Sequence, residues 1–112
     1  MKQQDLIWVK LPFSNLEEGK VRPAVIVSNN SYNNQGQDVI VCAVTSKLDE
    51  KRFSIAIDNA SLSTGNIPLK SRIRADKIMQ IEKNLIIKSF AHLNDKAFDS
   101  LTNEISKLVK RD

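Results

Sequence analysis

Val21-Arg22-Pro23-Ala24-Val25-Ile26-Val27-Ser28 is a short, β-branched apolar run closed off by Asn29 and Asn30. A run of that length and branching reads as a buried strand rather than a helix. Pro23 suits the first residue of such a strand, where its missing N–H costs least. It also biases Arg22 towards an extended backbone, so the guanidinium is expected at a strand entrance and not on a mobile loop. A second apolar stretch, Asp38-Val39-Ile40-Val41-Cys42-Ala43-Val44, runs into Thr45-Ser46-Lys47. Antiparallel pairing sets the start of one strand beside the end of the other. Arg22 is then expected near Thr45.

Working outward, residues 5–11 read as an opening strand with Ile7, Val9 and Leu11 on one face and Trp8 on the other. Trp8 reads either as a base-stacking platform or as core or dimer packing, and the second, the usual use of a large aromatic, is the expectation. Residues 12–21 form a loop of about ten residues, a length more often functional than shorter ones, and it carries Glu17, Glu18 and Lys20. The Asn-rich residues 29–37 join the two central strands, with Gly36 as a turn residue. Residues 52–57 alternate, with Phe53, Ile55 and Ile57 inward. Residues 58–69 read as a polar loop. In residues 70–78, period two puts Arg72, Arg74 and Asp76 on one face and Ile73 and Ala75 on the other. Residues 79–84 carry the chain round, and Leu85-Ile86-Ile87 begins another short strand. Asn94 can cap a helix over residues 95–110 whose Phe98, Leu101, Ile105, Leu108 and Val109 make one docking stripe.

The expectation is a mainly β fold with a C-terminal α-helix, five to seven short antiparallel strands forming a small, partly open barrel. The 112 residues suit one domain, residues 1–112, with one core. No apolar run approaches the ~18 residues of a membrane helix, and residues 1–5 lack a signal-peptide core, so a cytoplasmic protein with no membrane partner is expected. Cys42 is the only cysteine and reads as a buried thiol. His92 is the only histidine, which leaves little for a zinc site or for Ser-His or Cys-His catalysis; no cofactor or metal is expected. A net charge of +4, from 17 basic and 13 acidic residues, permits an anionic partner such as RNA or an acidic protein segment.

The reactive inventory is Arg22, Thr45, Ser46, Arg74, Asp76 and the loop pair Glu17 and Glu18. It lacks a two-carboxylate metal cluster and a Gly-rich phosphate loop. It does suit metal-free RNA cleavage. That reaction needs a base for the ribose 2′-OH, donors for the charge on the phosphoryl oxygens, and help for the leaving 5′-oxygen. Arginine matches phosphate with a planar fork, a threonine hydroxyl adds a neutral donor, and a carboxylate can take the proton. Taken alone, the Arg74 and Asp76 pairing also reads as a surface ion pair of little consequence.

The sequence resembles the MazF/PemK family of toxins from type II toxin–antitoxin pairs. The likeness runs through Asp5-Leu6-Ile7-Trp8-Val9, the Arg22-Pro23 strand with Tyr32-Asn33 after it, and Val44-Thr45-Ser46. It continues through Lys70-Ser71-Arg72-Ile73-Arg74-Ala75-Asp76-Lys77-Ile78, similar to the PemK (Kid) branch, and His92-Leu93-Asn94-Asp95 before the final helix. The resemblance implies an SH3-like small antiparallel barrel acting as a homodimer. It implies a sequence-selective endoribonuclease on single-stranded RNA (mRNA) that uses the 2′-OH, leaves a 2′,3′-cyclic phosphate and a 5′-OH, and needs no metal. It further implies a cognate acidic antitoxin that blocks the site, with DNA met only through the antitoxin complex. Arg22 and Thr45 match the family's central catalytic pair. Arg74 and Asp76 match an Arg-x-Asp with base and acid roles, and Glu17 matches a loop glutamate of the MazF branch. Ser46, Lys47, Lys20, Lys70 and Arg72 are the expected RNA contacts. Lys47 stands where the family often has glutamine, and the first loop has no histidine to match one used in the PemK branch. The rival reading is a non-catalytic binding module or a protein-poisoning toxin of the same fold, like CcdB, which would not need Arg22, Thr45, Arg74 and Asp76 together.

Overall fold

In the computed structural model, which describes residues 1–10, 20–49 and 52–112, the two apolar stretches form neighbouring antiparallel strands. The elements in chain order are β1 (Asp5–Lys10), β2 (Val21–Ile26), a single helical turn α1 (Asn30–Asn33), β3 (Asp38–Thr45), β4 (Ser54–Ile57), β5 (Leu62–Gly65), β6 (Ser71–Glu82), β7 (Ile86–Leu93) and α2 (Asp95–Val109). The strands make one seven-stranded antiparallel sheet in the order β4-β6-β3-β2-β1-β7-β5, curled into a half-barrel.

Both faces of the central strands are covered, which their near-continuous apolar sequences require. Leu6, Val25, Cys42, Ile73, Ala75 and Leu93 face a cluster closed by Phe98 and Leu101 of α2. Ile7, Val9, Ala24, Ile26, Val39 and Val41 face a second cluster on the other side, closed by Ile81 and Ile86. Helix α2 lies against β4 and β6. It starts where Asn94 accepts a hydrogen bond from the Ala97 N–H at 2.9 Å, the expected cap. Burying Phe98 and Leu101 supplies roughly 1.5–3 kcal/mol each. The last turn does not dock: Leu108 and Val109 of the expected stripe are exposed.

Several boundaries differ from the sequence reading. β2 begins at Val21, so Pro23 is inside the strand. The β3 ladder reaches only Ala24, so the proline stands beyond its end. The expected polar loop over residues 58–69 contains β5, an edge strand paired to β7. Residues 79–82 continue β6, a 3-10 turn over Lys83–Leu85 makes the reversal, and β7 runs on to Leu93. Asn29 caps α1 by accepting from the Tyr32 N–H at 2.9 Å. Leu11 of the expected first strand lies outside the described residues.

One departure shapes the site. Along the β3–β6 ladder Val44 pairs with Ile73, but Cys42 pairs with Ile78. A single residue, Ala43, therefore faces residues 74–77 across an enlarged, four-to-one bulge. The surplus is odd, and an odd slip turns a strand's side chains to the opposite face. Ile73 and Ala75 belong to the cluster under α2, whereas Ile81, three pleat repeats after Ala75, belongs to the other. The alternation in the sequence is unbroken across the bulge, yet the core it serves changes.

Candidate active site

The β2–β3 ladder pairs Ala24 with Ala43, Val25 with Cys42 and Ile26 with Val41. Continued at the same register, it sets Arg22 across from Thr45. Both line one cavity of about 570 Å³, with Ser46, Lys47 and Arg74. Arg74 and Asp76 rise on the β6 bulge. The Arg74 guanidinium grips Asp76 with both arms, Nε to Oδ1 and Nη2 to Oδ2, each at 3.0 Å. The hydrogen bond from Arg74 is the main reason that the Asp76 carboxyl sits below the usual carboxylate range, and the positive charges of Arg74 and Arg52 add to it. Partial desolvation works against both. Asp76 is thus ionised at neutral pH.

Thr45 is prepared differently. Its Oγ1 accepts the Lys47 backbone N–H at 3.1 Å, a small turn that fixes the hydroxyl and leaves its O–H to donate. Cys42, beneath the site, is fully buried. Burial first, and the negative charge of Asp76 second, push its thiol up to about 12, which suits the buried thiol expected from sequence. Phe53 flanks the bulge in a left-handed conformation, φ +48°, and its carbonyl accepts the Ala75 N–H at 2.8 Å. A bulky residue at positive φ is strained by roughly 1–3 kcal/mol.

The remaining expected residues fall apart. Arg72 turns to β4, donating through Nε to Ser54 Oγ at 2.8 Å, and lines a separate cavity of about 480 Å³ near the start of α2. Lys70 lines a third depression, beside Asp58 and Ile67. Lys20 is exposed just before β2. Glu17 lies outside the described residues. Conversely, Trp8, Lys77, Met79 and Phe90 line the main cavity and were not expected there. Lys77 follows Ile73 and Ala75 at period two but lies in the bulge that faces Ala43. Among the described residues, no three His, Cys, Asp or Glu side chains gather where they could hold a metal ion.

A family model described as PemK-like, MazF-like toxin of type II toxin-antitoxin system matches residues 2–109. The chain belongs to that family. It is 26% identical over 106 residues to an endoribonuclease MazF of Staphylococcus saprophyticus, covering 94% of this chain and 88% of the relative. Among solved structures it resembles an endoribonuclease in complex with its cognate antitoxin from a mycobacterial species, at TM-score 0.81 and 16% identity, covering 100% and 97% of the two chains. It also resembles MazF in a MazE–MazF complex of Deinococcus radiodurans, at TM-score 0.76 and 17% identity, covering 100% and 97%. At those identities the structural likeness speaks for the fold. In this toxin Arg22, before Pro23, and Thr45, at the end of β3, line the same cavity.

Proposed function

We propose that this toxin is a sequence-selective endoribonuclease that cleaves single-stranded RNA by attack of the ribose 2′-OH, without a metal ion. The observation that carries the reading is the meeting of Arg22, Thr45 and Arg74 on one cavity, with Asp76 clasped to Arg74 at its side. The relative named an endoribonuclease, alike over most of both chains, supports the same activity.

In this mechanism Arg22 spreads its fork over the phosphoryl oxygens and Thr45 donates its hydroxyl to one of them. The 2′-oxygen attacks phosphorus as its proton passes to a carboxylate, the bond to the 5′-oxygen breaks, the leaving 5′-oxygen takes a proton from water, and a 2′,3′-cyclic phosphate and a 5′-OH result. Asp76 is the carboxylate available to take the 2′-proton. Held low by Arg74, it is ionised but weakly basic. It becomes an effective acceptor when Arg74 moves from the carboxylate to the phosphate, where its charge also steadies the leaving oxygen. Neither arginine gives up a proton, since guanidinium stays charged in proteins. Lys47, with Ser46 beside it, extends the cationic rim along the strand. Glu17 remains a second candidate carboxylate.

The toxin acts as a homodimer, and an acidic antitoxin segment lies over the cationic cavity and competes with RNA. Relatives solved with their antitoxins support such a partner. The test is cleavage of single-stranded RNA in excess EDTA, with a matched substrate carrying 2′-deoxy at the cut position. Cleavage of the first and none of the second is expected, and Arg22→Ala, checked for folding, should slow the chemical step by on the order of 100-fold or more. Activity that vanishes in EDTA and returns with Mg²⁺, or undiminished cleavage of the deoxy substrate, overturns the mechanism.

A further inference from the structure

Trp8 and Phe90 take no part in the chemistry above, yet both line the same cavity as Arg22 and Thr45. They project from the adjacent strands β1 and β7. Their rings stack with centroids 4.7 Å apart and planes 24° from parallel, and both side chains are only partly buried. The cavity, about 570 Å³, has the size of pockets that hold small ligands.

Its walls are divided in character. Trp8, Phe90, Pro68 and Leu69 give the cavity an apolar lining, and Arg22, Lys47, Arg74 and Lys77 give it a cationic one. An apolar segment seated there would offer the cationic lining no anion of its own. A bare phosphate leaves the aromatic pair idle. A nucleotide satisfies both sides at once, with a flat base for the rings and a phosphate for the cations.

We propose that the Trp8–Phe90 pair is a base-stacking subsite, which holds one nucleobase of single-stranded RNA beside the phosphate gripped by Arg22. The assignment rests on the proposed function only in taking that phosphate as the one cut. Stacking tolerates any base, and its preferences follow stacking strength, so the subsite favours the larger purine ring over a pyrimidine. Its contribution is to fix the register of the strand on the site.

Trp8 is the only tryptophan, so its emission reports directly on the subsite. The probe is a set of short 2′-O-methyl oligoribonucleotides, which cannot react through the 2′-oxygen, each with an abasic position at a different place. Emission should change saturably with the full oligonucleotide, and abasic substitution at one position should weaken binding by about 5- to 150-fold. Trp8→Leu and Phe90→Leu, read by filter binding, should erase most of that position-specific loss, and Trp8→Phe should keep most of it. Persistence of the full loss in folded Trp8→Leu and Phe90→Leu proteins overturns the proposal. So does emission that follows protein concentration and ignores oligonucleotide, since a second copy of the chain then covers the rings. Because the probe is not cut, base-dependent binding without any ribonuclease activity upholds the subsite while sinking the catalytic reading.

Discussion

Gly65, the last residue of β5, offers a sharp test of how the edge of the sheet supports the cavity wall. Its φ is +80°, a region that costs an L-residue roughly 1–2 kcal/mol. A Cβ built there would stand 2.3 Å from the Phe90 carbonyl oxygen, 2.6 Å from Ala91 Cα and 2.8 Å from Ala91 Cβ. None of these atoms is the free end of a flexible side chain, so β5 must shift from β7, at a further cost of about 1–3 kcal/mol. Gly65→Ala should therefore lose about 2–5 kcal/mol of stability, lowering the melting temperature by roughly 8 °C or more. Urea unfolding followed by Trp8 emission gives the number. Gly36→Ala is the control: nothing lies within 4 Å of its added Cβ, and its change should stay within about 0.5 kcal/mol. Since the crowded carbonyl belongs to Phe90, the folded Gly65→Ala protein should also show altered Trp8 emission. A loss below about 1 kcal/mol, with emission unchanged, would refute the close approach of β5 to β7.

Further expectations concern single groups. Because Arg74 holds Asp76 below the ordinary value of 3.8, their ion pair supports folding above pH 3.8 and loses that support only as pH falls through the lower native value. The gain is about 0.2–1 kcal/mol; carboxylate NMR should find Asp76 titrating below 3.8 in the native toxin and higher in Arg74→Gln, and a native midpoint at or above 3.8 would contradict the pairing. Cys42, at about 12 and fully buried, should resist disulfide reagents at neutral pH and react on unfolding; rapid labelling of the folded protein would show the site to be open. Asn33 is 1% exposed, donates to the Ser28 carbonyl at 2.9 Å and receives the Ser28 hydroxyl. Asn33→Ala strands these groups and should destabilise by about 1–3 kcal/mol, with denaturant unfolding as the check and a loss under about 0.5 kcal/mol as the contrary result.

The central strands were legible because proline, asparagine and glycine punctuate apolar runs that have no other use. Helix α2 was legible at its start, where Asn94 caps it, and not at its end, where Leu108 and Val109 keep the stripe's spacing with nothing beneath them. β5 was hidden because Leu62-Ser63-Thr64-Gly65 is short and polar. An edge strand with one partner carries no apolar alternation. β7 was cut short because Lys88, Ser89 and His92 interrupt its apolar residues, while Asp5, which His92 meets at 2.8 Å, lies 87 residues away. Arg74 joined Arg22 and Thr45 only through the resemblance to the family, whereas the closeness of those two followed from pairing the ends of two strands. The scattering of Arg72 and Lys70 did not, because the bulge that separates them from Arg74 leaves the periodicity of the chain intact and shows only in the register of the partner strand.

That bulge also limits how the toxin can change by insertion and deletion. Gaining or losing one residue between Ala75 and Met79 would send Met79 and Ile81 to the wrong side of the sheet and spoil the second core. Gaining or losing two restores the parity of every inward side chain. The segment bearing Asp76 and Lys77 can therefore alter its length in pairs with both cores preserved, which makes its reach over the cavity adjustable in discrete steps of about 7 Å of extended chain.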